Sequence, residues 1–191
     1  GNAILILANE VSSTLSIYQI NSCAELSGAP ISTQNNTICA GQNTSISATP
    51  TANVSYEWLQ NNLPIQNANQ VNYAATTAGT YALKVTNSTL NCVDTTNSIQ
   101  ITVNALPVVS AGQNQSVCTG ASATLNGSGA STYTWNNNVT NGVAFTPAAT
   151  QTYTVTGTDA NGCQNTAQVT VTVNTLPVVS AGQAQTLCAG T

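Results

Sequence analysis

Apolar and polar positions alternate along much of the chain. Gln168-Val169-Thr170-Val171-Thr172-Val173 does so strictly, and Ile99, Ile101 and Val103 keep the same beat. A period of two means one face toward a core and one toward water. Asn126-Gly127, Asn141-Gly142 and Asn161-Gly162 read as hairpin turns, because Asn and Gly tolerate positive φ. Two further runs, Ala3–Ala8 and Thr14–Ile20, read as strands near the N-terminus. No stretch combines helical periodicity with helix caps.

The pattern repeats. Residues 104–112 read Asn-Ala-Leu-Pro-Val-Val-Ser-Ala-Gly, and residues 174–182 read Asn-Thr-Leu-Pro-Val-Val-Ser-Ala-Gly, a period of 70. Each copy continues to a cysteine, Cys118 in one and Cys188 in the other; a weaker copy runs from Ile31 to Gly41 through Cys39. Trp58 follows Cys39 by 19 residues, and Trp135 follows Cys118 by 17. Tyr81 corresponds to Tyr153, and Cys92 to Cys163. The expected organisation is an N-terminal β segment at 1–30, full units at 31–104 and 105–174, and the opening strand of a third repeat at 175–191. About seven short strands per unit, with turns every 8–12 residues or so, point to an all-β chain of tandem β-sandwiches.

Composition narrows the function. Of 191 residues, 87 are Asn, Gln, Ser or Thr, and the formal charge of −4 comes from one Lys and five carboxylates. A nucleic-acid partner is excluded, since one Lys cannot displace a counterion atmosphere. Membrane insertion is not expected, because the longest apolar run, Ala3–Ala8, is far short of a span. There is no His for a catalytic triad, and no two carboxylates recur close together for acid–base work. No catalytic residue, cofactor or metal site is expected. Six cysteines in a chain so poor in charge argue for an oxidising compartment, hence a secreted, extracellular or cell-surface protein. The chain begins with Gly1 and reads as mature or as part of a longer polypeptide.

Leu-Pro-Val-Val-Ser-Ala-Gly-Gln-x-Gln-x-x-Cys, then Tyr-Thr-Trp, then Phe-Thr-Pro-Ala-Ala-Thr-Gln-Thr-Tyr-Thr-Val-Thr, then Asp-Ala-Asn-Gly-Cys, resembles the immunoglobulin-like, PKD-like repeats of very long secreted surface proteins of the Bacteroidota. The match is close over 105–174, fair over 31–104, limited to the first strand at 175–191, and absent over 1–30. The resemblance implies a seven-stranded sandwich, type IX export, and a non-enzymatic role in adhesion, gliding or extracellular filaments. Some members bind calcium through acidic loops. With Asp94, Asp159 and three scattered Glu, that property is not carried over.

Within each unit the first cysteine precedes the second strand and the second lies at the last hairpin, so disulfides Cys39–Cys92 and Cys118–Cys163 are expected. Each would add roughly 4 kcal/mol in the chain-entropy model. A metal reading fails on spacing, with no Cys-x-x-Cys and no His. Trp58 and Trp135 are expected in the cores, with Tyr81 and Tyr153 making corner hydrogen bonds. The alternative is a platform of exposed aromatics for a surface glycan. Lys84, between Leu83 and Val85, is expected on the wet face, away from any isopeptide chemistry. Asp94-Thr95-Thr96 resembles a Bacteroidota O-glycosylation signal, which makes Thr95 a candidate acceptor.

Leu106-Pro107 and Leu176-Pro177 are expected to form short, stiff joints with the leucines buried. The pairing above leaves Cys23 and Cys188 over, as candidates for an intersubunit disulfide. Residues 175–191 of one chain would then complete the N-terminal segment of the next, an open-ended contact that builds a filament. Continuation in a longer repeat chain is the plainer partner. The leading function is a structural module of a surface filament or giant adhesin. The alternatives are a polysaccharide-binding module, and a spacer in a secreted enzyme.

Overall fold

The structure, a computed structural model, describes residues 3–8, 15–20, 30–89 and 91–185. All its regular elements are strands. β1 (Ala3–Ala8) and β2 (Leu15–Ile20) pair antiparallel, Ala3 opposite Ile20 and Ala8 opposite Leu15. The chain as a whole divides into two compact units, Gly1–Ala105 and Leu106–Thr191.

The sandwich of the first unit has two sheets. One is β3 (Ser32–Thr33), β5 (Thr44–Ser47) and β8 (Asn72–Ala75), in that order. The other runs β4 (Thr37–Cys39), β11 (Ile99–Asn104), β9 (Gly79–Asn87), β6 (Ser55–Gln60), β7 (Leu63–Pro64), with β10 (Cys92–Thr95) also on β9. The opening strand splits between the sheets, and its second half, β4, pairs parallel to the last strand. That split and that parallel pair are the immunoglobulin-like arrangement.

The second unit repeats it with fewer strands. β12 (Gln115–Cys118) pairs parallel to β17 (Gln164–Asn174), followed by β16 (Gln151–Thr158) and β14 (Thr132–Trp135). β13 (Ala123–Thr124) and β15 (Ala144–Phe145) form the opposing pair. Each unit closes over its own core. Trp58, Tyr81, Leu83, Ile46 and Ile101 centre the first, and Leu125, Trp135, Val155, Val169 and Val171 the second.

The amides and hydroxyls have visible uses. Among the described residues seven Asn hold positive φ, including Asn61 (51°) and Asn62 (66°), which turn β6 into β7. Two consecutive left-handed residues are what a tight hairpin demands, and Asn tolerates them with a side chain in place. On the wet faces, uncharged polar side chains tie neighbouring strands. Thr80 Oγ1 donates to Gln100 Oε1 at 2.6 Å, and Asn174 Nδ2 to Ser116 Oγ at 2.7 Å.

Candidate functional site

The aromatics build the cores. Trp58 is fully buried and donates its indole N–H to the Gln70 carbonyl at 2.8 Å; Trp135 donates to Asn141 Oδ1 at 2.9 Å. The same Asn141 oxygen accepts the Gly127 N–H at 2.7 Å, so one loop amide satisfies two donors. Tyr81 makes the expected corner bond, its hydroxyl donating to the Thr77 carbonyl at 2.9 Å. Tyr153 instead packs edge-on to Phe145, and among the described residues its hydroxyl makes no such bond. A second tyrosine clamp, not foreseen, recurs in both units. Tyr56 Oη accepts the Thr51 N–H at 2.7 Å, and Tyr133 Oη both accepts from the Ala130 N–H and donates to the Ala130 carbonyl. Its signal was Tyr-x-Trp in both repeats: the Trp points inward, and the Tyr two residues earlier folds over the loop that leads into the strand.

Gly127 also corrects the turn assignment. A Cβ there would lie 2.7 Å from Tyr133 Cδ1, so this glycine makes room for the clamping ring and does not form a tight hairpin turn. Gly142 and Gly162 do hold positive φ, at 74° and 82°. In the Asn161-Gly162 hairpin, Asp159 Oδ1 accepts from the N–H groups of Asn161 and Cys163, both at 2.8 Å. Asp159 therefore serves as a turn cap.

Lys84 faces solvent as expected, and lies opposite Glu57 on the neighbouring strand with Nζ 2.8 Å from Oε2. Both side chains are near 40% exposed, so the pair contributes about 0–1 kcal/mol. Thr95 is exposed on β10, its N–H held by Asp94 Oδ1 at 2.7 Å. A shallow cleft of about 250 Å³ lies along residues 65–74, rich in the amides of Gln66, Asn67, Asn69, Gln70 and Asn72. Tyr73 lines it. Burial, and secondarily the neighbouring Tyr81, raise its phenol pKa above the ordinary value.

The cysteines correct the expected pairing. Cys118 is a free, exposed thiol, so Cys118–Cys163 does not form, while Cys39, Cys92 and Cys163 are each disulfide-bonded. Register gives the reason. Cys118 lies opposite Asn174 at one end of β17, and Cys163 precedes Gln164 at the other end. Ten residue rises separate those ends, about 33 Å, where a disulfide needs Cα atoms within about 7 Å. The first unit has the same layout. Cys92 is opposite Asn87, six residues along β9 from Tyr81, and Cys39 is opposite Asn104, five residues along β11 from Ile99, Tyr81's partner. Six and five rises in opposite directions put Cys39 and Cys92 about 36 Å apart, so their bonds do not join them to each other. Cys23 and Cys188 lie outside the described residues.

The joint residues are also redistributed. Pro107 is buried and Ala111 is 4% exposed, whereas Leu106 is 38% exposed and Val108 86%. In an extended chain successive side chains point to opposite sides. Pro107, Val109 and Ala111 take the inner side, which leaves Leu106 outside. Leu176 is 62% exposed, and Pro177 is exposed beside it. The expected burial of both leucines is therefore overturned.

No protein-family model matches the chain, and no curated protein matches it. Among solved structures it is similar to three N-terminal domains of the bacteriophage RB49 Highly Immunogenic Outer Capsid protein (Hoc). That likeness has 18% identity and a TM-score of 0.42, covering 76% of this chain and 58% of that one. It is similar to the insect immune protein hemolin at 16% identity and TM-score 0.40, over 90% of this chain and 55% of that one. A third is Bacteroides ovatus SGBP-B, in complex with a mixed-linkage heptasaccharide, at 20% identity and TM-score 0.31, over 71% of this chain and 42% of that one. The chain thus spans a little over half the length of the first two.

Proposed function

We propose that this chain is a non-enzymatic structural module of an extracellular repeat array, in a surface filament or giant adhesin of the kind exported by the Bacteroidota type IX route. The observation that carries the reading is the build of the described units: successive immunoglobulin-like sandwiches, faced with uncharged amides and hydroxyls, with bonded cysteines at the sheet ends. Bonded cysteines fit an oxidising, extracellular setting. A surface of low net charge resists lateral or end-to-end packing less than a strongly charged one. Head-to-tail assembly, with residues 175–191 of one chain added to the N-terminal segment of the next, is the mode that suits a filament. A carbohydrate platform is less well supported, because every Trp, Tyr and Phe among residues 30–185 is buried or half-buried.

Immunogold labelling of the source cells with antibody against this chain tests the reading. Label along extracellular fibres or at the cell surface is expected; label confined to the cytoplasm would overturn it. Negative-stain microscopy of the purified chain tests the assembly mode. Unbranched threads are expected at high concentration, and persistent monomers would remove the strand-addition step. Exposed Thr95 remains the O-glycan acceptor of this reading, and unmodified Thr95 in native material would remove it.

A further inference from the structure

Many amides of the chain are committed to the fold. Gln60 Nε2 donates to Thr77 Oγ1 and to the Ala78 carbonyl, Asn61 Oδ1 accepts the Thr80 N–H, and Asn136 Oδ1 accepts the Thr154 N–H. The stretch from β7 to β8 is different. Among the described residues, the side-chain amides of Gln66, Asn67 and Asn72 and the hydroxyl of Tyr73 make no hydrogen bond. The three amides are exposed and Tyr73 is half-buried. No buried side-chain N or O atom in the described residues lacks a partner, so the Tyr73 hydroxyl is open to solvent. All four residues line the cleft of about 250 Å³ along residues 65–74.

The backbone beneath these groups is pinned. The Ile65 N–H donates to the Trp58 carbonyl at 2.8 Å, the Trp58 N–H to the Ala68 carbonyl at 2.9 Å, and the Ala48 N–H to the Val71 carbonyl at 3.2 Å. Ile65, Ala68 and Tyr73 pack against the core of the first unit. Asn67 bends the chain between them at φ of 62°. The free amides therefore stand on a fixed frame, and a ligand has to order side chains only, not the loop.

The second unit shows that a core closes without these features. Trp58 and Tyr73 are 15 positions apart; Trp135 and Phe145, which packs on Tyr153 as Tyr73 packs on Tyr81, are 10 apart. In the shorter connection the indole N–H takes a side chain, Asn141 Oδ1. In the longer one it takes the Gln70 backbone carbonyl, which spares the amides around it. Phe145 also lacks the hydroxyl that Tyr73 carries.

We propose that the cleft along residues 65–74 binds a neutral glycan, with Gln66, Asn67, Asn72 and the Tyr73 hydroxyl hydrogen-bonding to sugar hydroxyls. Each amide offers two N–H donors and a carbonyl acceptor, and each sugar hydroxyl both donates and accepts, so the two sets match without charge. Ile65, Ala68 and the Tyr73 ring line the same cleft and offer apolar surface to the C–H face of a sugar ring. No charged side chain lines it. A carboxylate or phosphate on the ligand would lose water there and gain no counter-charge, which selects uncharged sugars. The cleft is smaller than the roughly 300–1,000 Å³ of drug-sized sites, so it takes one or two sugar rings, with a dissociation constant on the order of 1 mM. This mode uses amides on a pinned loop and needs no platform of exposed aromatics. It does not depend on filament assembly; where copies of the chain are displayed together, their clefts add avidity.

Titration of the full, nitrogen-labelled chain followed by two-dimensional NMR is the test. The probes are maltotetraose, cellotetraose, mannotetraose, xylotetraose and chitotetraose, each taken to about 20 mM, with tetragalacturonate as the charged comparison. Saturable shifts centred on residues 65–74, including the side-chain amides of Gln66, Asn67 and Asn72, are expected for at least one neutral sugar and not for tetragalacturonate. Silence with every neutral sugar, shifts centred elsewhere, or equal binding of tetragalacturonate would overturn the site. The double change Gln66→Ala with Asn72→Ala should weaken binding roughly tenfold or more, and Tyr73→Phe roughly three- to tenfold. Both should keep the thermal transition of the first unit, because these side-chain groups hold nothing in the fold and Phe145 fills the corresponding place in the second unit. Unchanged binding in both variants would refute the assignment of these residues. The shift map of the unaltered chain decides the case where a variant fails to fold.

Discussion

Two copies of one heptapeptide, Leu-Pro-Val-Val-Ser-Ala-Gly, lie in different surroundings. In both the local turn is the same. Gly112 and Gly182 hold φ of 80° and 77°, and each donates its N–H to the Ser two residues back, Ser110 Oγ at 3.2 Å and Ser180 Oγ at 3.3 Å. Their burial differs. At 106–112, Pro107 and Ala111 are buried; at 176–182 every residue is exposed, with Val178 at 101% and Val179 at 84%. The heptapeptide therefore encodes its turn locally, but not its docking. Docking comes from residues far along the chain: Ser128, which bridges Ser110; Gly129, over which Val108 passes; and Gly157 and Asn165 on the last two strands.

The strongest way to break the contrast is Gly129→Ala. Its Cβ would sit 1.8 Å from the Val108 carbonyl oxygen, on a backbone at φ 88°. Either the 107–109 segment lifts off or the β13–β14 loop moves. A loss of about 3 kcal/mol or more is expected in the second unit alone. Calorimetry should show one transition falling while the first unit's stays; two unmoved transitions would mean that 107–109 is not seated as described. Ala111→Asp comes next. It places a carboxylate at a 4% exposed position and should cost about 3 kcal/mol. Ala181→Asp, its exposed counterpart, should stay within about 0.5 kcal/mol. Equal effects in urea melts of the pair would erase the comparison.

The same division between local and distant causes decides what could be read from the sequence. Alternation with near neighbours puts Val169, Val171 and Ile101 in a core, and they are buried. Repeat position, which averages over context, puts Trp58 and Trp135 there too, and both are buried. Gly142 and Gly162 turn as an Asn-Gly pair predicts, but Gly127 obeys Tyr133, a ring six residues away that becomes its neighbour through folding. Asn61-Asn62 makes a hairpin turn with no glycine to announce it. The cysteine pairing failed for a related reason. Order along the chain does not say at which end of a sheet a residue lies, and the parallel pairing of first and last strands sends Cys39 and Cys118 to the end away from the hairpins. Asn141, which serves both Trp135 and Gly127, carries no sequence signal beyond being one amide among many.

Asn165→Ala sharpens the comparison at smaller amplitude. It removes the donor to the Pro107 carbonyl while leaving the valines in place, and should destabilise the second unit by about 1 kcal/mol. Unchanged or slower amide exchange at Val108, Val109 and Ser110 in this variant would contradict the role given to that bond.

The smallest effect addresses the turn that the two copies share. Ser110→Ala and Ser180→Ala each remove the acceptor of the glycine N–H. If the turn is set within the heptapeptide, the local response should be alike in the docked and exposed copies, because the bond spans two residues in each. Exposed hydrogen bonds of this kind contribute about 0.5–1.5 kcal/mol locally. Amide exchange at Gly112 and Gly182 should therefore accelerate by similar factors, on a slower baseline at Gly112 where the chain is docked. Global stability should fall slightly for Ser110→Ala, since the docked turn must be reformed on folding, and stay unchanged for Ser180→Ala. A large acceleration at Gly182 with none at Gly112 would mean that docking alone holds the first turn, and that the likeness of the two copies is a coincidence of backbone angle.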